Sequence, residues 1–155
     1  ARTFEDITPD QEYYLGRSIG AHVLDTYPAY KNQKANQYVN KLGQSLVLHC
    51  DRPKTYGGYH FQIMDSDDIN AFAAPGGHIF LTRGIVRCCE TEDALASVLA
   101  HEIAHVSLKH GLRSIENDRI TEAFTVVGTE SAKQLGGHEL ATLTSAFEDS
   151  ITDVT

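Results

Sequence analysis

Five consecutive residues, His101-Glu102-Ile103-Ala104-His105, place two imidazoles and one carboxylate in the HExxH pattern. On an α-helix, residues four positions apart lie one above the other on one face, so His101 and His105 can bind one small cation together. Glu102 lies about 100° further round the helix. From there it can reach a metal-bound water without being a ligand, as a general base must. The pattern therefore predicts metal-dependent hydrolysis of peptide bonds.

The pattern is short, and a chance occurrence in a chain with eight histidines has a probability on the order of a few per cent. The surrounding residues favour a helix. Thr91 can cap its N-terminus, Glu92 and Asp93 put negative charge in the first turn, and no Gly or Pro occurs between residues 94 and 109. Gly111 can take the left-handed conformation that ends a helix. The alternative is a buried helix whose histidines only form hydrogen bonds.

Two earlier helices are expected to support this metal helix. Thr8 and Pro9 predict a helix start, and the helical pattern runs to about Asp25. A second helix is predicted from about Asn32 to His49, because its apolar residues recur at helical spacing. Neither segment carries evident chemistry, and we expect both helices to pack on the metal helix.

Strands are predicted between the second helix and the metal helix. Residues 59–63 alternate between apolar and polar side chains, as strands do. Residues 71–73 and 78–81 flank the turn Pro75-Gly76-Gly77, which predicts a hairpin. The acidic loop 65–68 lacks the EF-hand pattern and is interpreted as a solvated loop. After Gly111, residues 112–127 and 138–154 have weaker helical patterns.

The composition limits the classes of protein that the chain can represent. A length of 155 residues suits a single domain. The formal net charge of −8 argues against binding to nucleic acid or to an anionic membrane. No apolar run is long enough to span a membrane. Three cysteines, two of them adjacent, predict buried thiols and no disulfide framework.

Four blocks of sequence together resemble a known family. They are the segment from Asn70 to Gly77, the segment Thr82-Arg83-Gly84-Ile85, the segment from Glu92 to Leu95, and HEIAHVSLKHG. In this order they resemble the HtpX, CAAX prenyl protease and BepA-like family of HExxH zinc metalloendopeptidases, the gluzincins. The resemblance spans roughly residues 12–111.

This resemblance implies an α+β, zincin-like (gluzincin) fold, mainly helical, with a small mixed sheet and the HExxH active-site helix. It implies that His101 and His105 bind one Zn²⁺ per chain and that Glu102 activates a zinc-bound water. It also implies that Asn70, Ala71, Phe72 and Ala73 form an edge strand, where an extended protein or peptide substrate adds as a further strand. Unfolded or misassembled proteins would be the substrates, and the periplasm or cell envelope the location. No nucleic-acid partner is implied, and the oligomeric state stays open.

The sequence departs from the family at the third metal ligand. The family supplies a Glu that opens an ExxAD motif, and no such motif occurs in residues 1–155. Either the chain stops before the helix that carries this ligand, or the protein has lost it. We favour the first explanation and expect the third ligand beyond Thr155, with Glu148 as the first substitute within the chain.

The expected organisation is a single metallopeptidase domain over residues 1–155 that lacks the C-terminal helix with the third ligand. Without that ligand, we expect the fragment to bind metal weakly and to have little activity. The alternative function is a non-catalytic, chaperone-like module that binds unfolded chains and retains the peptidase fold.

Overall fold

The computed structural model describes residues 7–109. This segment is an α+β structure, as predicted, with four helices and three strands. In chain order they are α1 (Pro9–Thr26), α2 (Gln33–Val47), β1 (His60–Met64), β2 (Ala71–Ala74), β3 (His78–Thr82), α3 (Arg83–Cys88) and α4 (Glu92–Ser107). The two helices predicted after Gly111, with Glu148 and the chain end at Thr155, lie outside the described residues.

The three strands form one mixed sheet in the order β1-β3-β2. β1 runs parallel to β3, with His60 opposite His78, and β2 runs antiparallel to β3, with Ala71 opposite Leu81. The predicted hairpin is therefore confirmed. Its turn contains Gly76 at a φ of 81°, a conformation that glycine adopts without steric cost.

Side chains from the two faces of the sheet enter two separate cores. Leu15 and Ile19 of α1 pack with Phe72 and Phe80 on one face. On the other face, α2 and α4 pack against the alternate residues of the same strands, which include Ile63, Ala73 and Leu81. The expected packing of α2 on α4 is confirmed. The expectation for α1 is wrong, because the apolar residues of this helix cover the opposite face of the sheet.

Three amide side chains of α2 cover the outer edge of β1. Asn36, Asn40 and Gln44 stand four residues apart and so share one face of the helix; we call them the amide ladder. Their main-chain partners are the Ile63 N–H for Asn36 (3.0 Å), the Phe61 N–H and carbonyl for Asn40 (3.2 and 2.7 Å) and the Tyr59 carbonyl for Gln44 (2.7 Å).

The segment before α2 completes this edge. The Tyr30 N–H donates to the Ile63 carbonyl (2.8 Å), and the Asp65 N–H donates to the Pro28 carbonyl (2.7 Å). Because alternate residues of a parallel strand face the same side, the groups of Phe61 and Ile63 that face away from β3 all have partners. No further strand can pair with β1 at these residues.

Three local features differ from the sequence prediction. The short helix α3 was not predicted; Thr82 caps it by accepting the Ile85 N–H (3.2 Å). The metal helix ends at Ser107 and is followed by the left-handed residue Lys109 (φ 54°), whereas Gly111 lies outside the described residues. The three thiols are free, as predicted, but Cys88 is exposed and Cys50 and Cys89 are only half-buried, so the expectation of buried thiols is wrong.

Candidate metal centre

The HExxH residues lie in the last two turns of α4. Thr91 caps this helix by accepting the Ala94 N–H (3.1 Å), as the sequence predicts. Its apolar face is buried in the core shared with α2 and the sheet and consists of Leu95, Leu99, Ile103 and Val106. Burial of this face fixes the rotation of the helix. His101 is consequently exposed, and His105 is half-buried beside it.

The two imidazoles converge, as two ligands of one ion must. Nε2 of His101 lies 3.0 Å from Nε2 of His105, and the ring centroids are 4.6 Å apart. Two nitrogens bound tetrahedrally to one zinc ion would be about 3.3 Å apart, given Zn–N distances of about 2.0–2.1 Å. A shift of a few tenths of an ångström therefore suffices for both to bind one ion.

The Glu102 carboxyl group is buried beside these histidines. Only 4% of the residue surface is exposed, and Oε2 has no hydrogen-bond partner among residues 7–109. Burial raises the pKa of this carboxyl group from an ordinary value near 4.5 to about 7. A buried carboxylate without a partner is costly, and a neighbouring cation removes much of that cost. The carboxyl group and the two imidazoles thus fit a metal site with an adjacent base.

A third metal ligand is not found in the described segment. Residues 7–109 contain no group of three His, Cys, Asp or Glu side chains that could hold a metal ion. Glu148, the first substitute suggested by the sequence, lies outside this segment, and so does any ligand beyond Thr155. The described residues therefore contain the two candidate ligands and the candidate base, and the expectation for the third ligand stays a prediction.

The predicted substrate strand lies beside the metal helix. Among the described strands, β2 has only β3 as a neighbour and so stands at the sheet edge, and all four of its residues are buried. Ala71 and Ala73 belong to the same core as Leu99 and Ile103 of α4. The strand therefore packs directly against the helix that carries the histidines.

The backbone register decides which residues of this strand can pair with a substrate. The Thr82 N–H donates to the Asn70 carbonyl (3.0 Å), and the Asn70 N–H donates to Thr82 Oγ1 (3.1 Å). Hydrogen-bonded and non-hydrogen-bonded pairs alternate along antiparallel strands. Asn70 and Phe72 therefore face β3, and the main-chain groups of Ala71 and Ala73 face away from it.

One buried ion pair near the end of α4 was missed by the sequence analysis. Glu12 on α1 is 1% exposed and is bound by Arg52, which follows α2. The signal was available, because Glu12 stands at helical spacing from the buried residues Leu15, Ile19 and Val23. A carboxylate within an apolar helix face requires a partner.

Comparisons with known proteins found a matching family profile and similar proteins. The sequence profile of peptidase family M48 matches residues 33–148. The β-barrel assembly-enhancing protease of Escherichia coli K12 is 36% identical over 118 residues, which are 76% of this chain and 24% of that protein. The mitochondrial metalloendopeptidase OMA1 of Schizosaccharomyces pombe is 27% identical over 135 residues, which are 84% of this chain and 39% of that protein.

The chain thus spans about a quarter of the length of the bacterial relative. Among the helices of residues 7–109, none combines the length and the apolar character that a membrane span requires.

Proposed function

The chain belongs to peptidase family M48, and we propose that it is a zinc-dependent metalloendopeptidase with a gluzincin fold that hydrolyses peptide bonds in unfolded or misassembled proteins. The observation that carries this proposal is the buried Glu102 carboxyl group, whose Oε2 has no partner among the described residues, on the same helix as two converging histidines. Burying such a group without a function would only destabilise the fold.

His101 and His105, whose Nε2 atoms converge, would hold one zinc ion. Zinc supplies a Lewis acid and lowers the pKa of water, so that a nucleophile is available at neutral pH. Glu102 accepts a proton from the attacking water and delivers it to the leaving amine. Burial raises the pKa of this carboxyl group to about 7 in the metal-free site, and a bound cation would lower that pKa and favour the carboxylate form that a base requires.

A third protein ligand completes the site from outside residues 7–109. A catalytic zinc needs three protein ligands and one open position, and the described segment supplies two. We assign the third position to a carboxylate beyond Thr155, as the family resemblance implies, with Glu148 as the substitute within this chain.

Substrate binds as an extended strand at β2. The outward main-chain groups of Ala71 and Ala73 make the hydrogen bonds, so recognition depends on backbone rather than on a particular side chain. This mode favours chains that are already unfolded. The bacterial relative is named for enhancing β-barrel assembly, and we place the action of this chain in the cell envelope by that likeness.

The catalytic proposal is tested by zinc content and casein cleavage in the whole protein, which includes the third ligand. We expect one zinc per chain in both the wild type and Glu102→Gln, and cleavage by the wild type alone. A chelator should abolish cleavage, and added zinc should restore it. Equal cleavage by both proteins would refute the role of Glu102. Zinc-free protein that binds unfolded chains without cleaving them would favour the non-catalytic binding module.

The substrate strand is tested by proline substitutions that remove single N–H groups. Ala73→Pro deletes an N–H that faces away from β3, so the protein should fold and lose most cleavage. The matched variant Phe72→Pro deletes an N–H that pairs with β3, so it should lower the thermal stability. A folded Ala73→Pro protein with wild-type KM and kcat would contradict strand addition at β2.

A further inference from the structure

The Glu12–Arg52 ion pair is bidentate, with two parallel hydrogen bonds. Arg52 Nη1 donates to Glu12 Oε1 (3.0 Å), and Nη2 donates to Oε2 (2.8 Å). Two parallel hydrogen bonds between a guanidinium and a carboxylate fix direction as well as distance. The backbone of Arg52 is held as well, since the Tyr59 hydroxyl donates to its carbonyl (2.8 Å).

This pair contacts the hairpin that carries the substrate strand. The Gly76 N–H, in the turn between β2 and β3, points to Glu12 Oε1 at 3.4 Å. That contact is the only one of the carboxylate with the sheet hairpin that the described residues show. It lies two residues beyond the end of β2.

The same pair contacts the end of the metal helix. Arg52 Nη1 lies 3.5 Å from the carbonyl of Val106, the residue after His105. Lys109 Nζ lies 3.9 Å from Glu12 Oε2, and Lys109 adopts the left-handed φ of 54°. Lysine enters that region only where the surroundings stabilise it. The end of α4 is thus held at the Val106 carbonyl by Arg52 and, just after the helix, at the Lys109 side chain by Glu12.

We infer that Glu12 and Arg52 are positioning residues, which together act as a clamp that sets the separation between the metal-binding turn of α4 and the β2–β3 hairpin. Neither residue is among the metal ligands or the strand residues that bind substrate. The clamp acts on the proposed peptidase function, because it fixes where a strand-bound peptide lies relative to the zinc ligands. A misplacement of about 1 Å can reduce a rate on the order of 100-fold.

A purely structural role makes a different prediction. Buried ion pairs contribute little net stability, and replacing both partners with apolar residues is often neutral or stabilising. If the pair served only the fold, such a replacement would leave catalysis intact. If the pair is a clamp, the same double replacement keeps the stability of the fold but lowers the rate of cleavage.

The test compares Arg52→Lys, the double variant Glu12→Leu/Arg52→Met and the control Arg87→Met in the whole protein. Arg87 belongs to α3 and pairs with the exposed Asp67 (3.0 Å). In the double variant we expect a melting temperature within a few degrees of wild type, one zinc per chain, an unchanged KM and a kcat reduced at least tenfold. Lysine keeps the charge but not the two parallel hydrogen bonds, so Arg52→Lys should show a smaller fall in kcat. Arg87→Met should match the wild type.

A stable double variant with wild-type kcat would overturn the clamp. If the double variant does not fold, a wild-type kcat in Arg52→Lys would overturn the clamp instead. Hydrogen exchange gives a readout that is independent of cleavage: Arg52→Lys should speed exchange at Gly76 and in the last turn of α4, and Arg87→Met should not. Wild-type exchange rates at both places in Arg52→Lys would also overturn the clamp. Cleavage that does not depend on Glu102 would instead defeat the proposed function alone.

Discussion

Glu102→Gln should stabilise the metal-free protein at alkaline pH, although it should abolish catalysis. In the folded chain the carboxyl group has a pKa of about 7, raised by burial, against an ordinary value near 4.5 in the unfolded chain. Protonation of Glu102 is therefore more favourable in the folded state than in the unfolded state. The resulting contribution to the free energy of unfolding is fully present below pH 4.5 and is lost as the pH rises through 7. Glutamine has nearly the same shape and no charge, so its stability should not fall in this way.

The size of the effect follows from the two pKa values. Their difference corresponds to about 3 kcal/mol of folding free energy once the carboxyl group is ionised in both states. Urea unfolding of the metal-free wild type and of Glu102→Gln, at about pH 4 and about pH 8, measures this quantity. The advantage of the glutamine variant should grow by about 3 kcal/mol between the two pH values.

Glu12, the other buried carboxylate, supplies a control, because its substitution by glutamine should lower the stability instead of raising it. Glu12 is bound by Arg52 at 2.8 Å, so Glu12→Gln leaves the half-buried Arg52 guanidinium without its charge partner and should destabilise the protein by about 3 kcal/mol. The reasoning about Glu102 would be refuted if Glu102→Gln were no more stable at the higher pH, relative to wild type, than at the lower one.

Three further substitutions test the elements that position the site. Asn40→Ala removes two hydrogen bonds to the Phe61 main chain and should cost about 2 kcal/mol in urea unfolding; the exposed Ser45→Ala on the same helix should cost almost nothing. Gly84→Ala would put a Cβ 2.2 Å from the Asp68 carbonyl oxygen, so it should displace the loop before β2 and lower the melting temperature markedly. Thr91→Ala removes the N-terminal cap of α4 and should cost about 1 kcal/mol by thermal unfolding.

Local signals in the sequence predicted the elements well. Capping residues and turn glycines act over a few residues, so the N-terminus of α4 at Thr91 and the hairpin around Gly76 could be located from sequence alone. The HExxH spacing likewise predicts the convergence of His101 and His105, because it depends only on helix geometry.

Long-range arrangements could not be read in the same way. The face of the sheet on which α1 packs is set by contacts between α1 and strands that are distant in sequence. The helical periodicity of α1 carries no information about those contacts. From the sequence alone, the residues of the amide ladder would be assigned to a solvated helix face, because Asn36 and Asn40 are polar and the sequence does not indicate their partners. Arg52 lies 40 residues from Glu12, so only the position of Glu12 within an apolar stripe could have signalled the pair.

The amide ladder also limits how copies of this chain could assemble through their sheets. Fibres grow when each molecule offers two free strand edges, one for the preceding copy and one for the next. Among the described residues, side chains of α2 occupy one of those edges. Two copies that met through β2 would form a closed, symmetric pair, with no edge of the described sheet left for a third copy. If a guest chain binds at β2 as proposed, the described sheet can accept it without becoming a template for polymerisation of this chain.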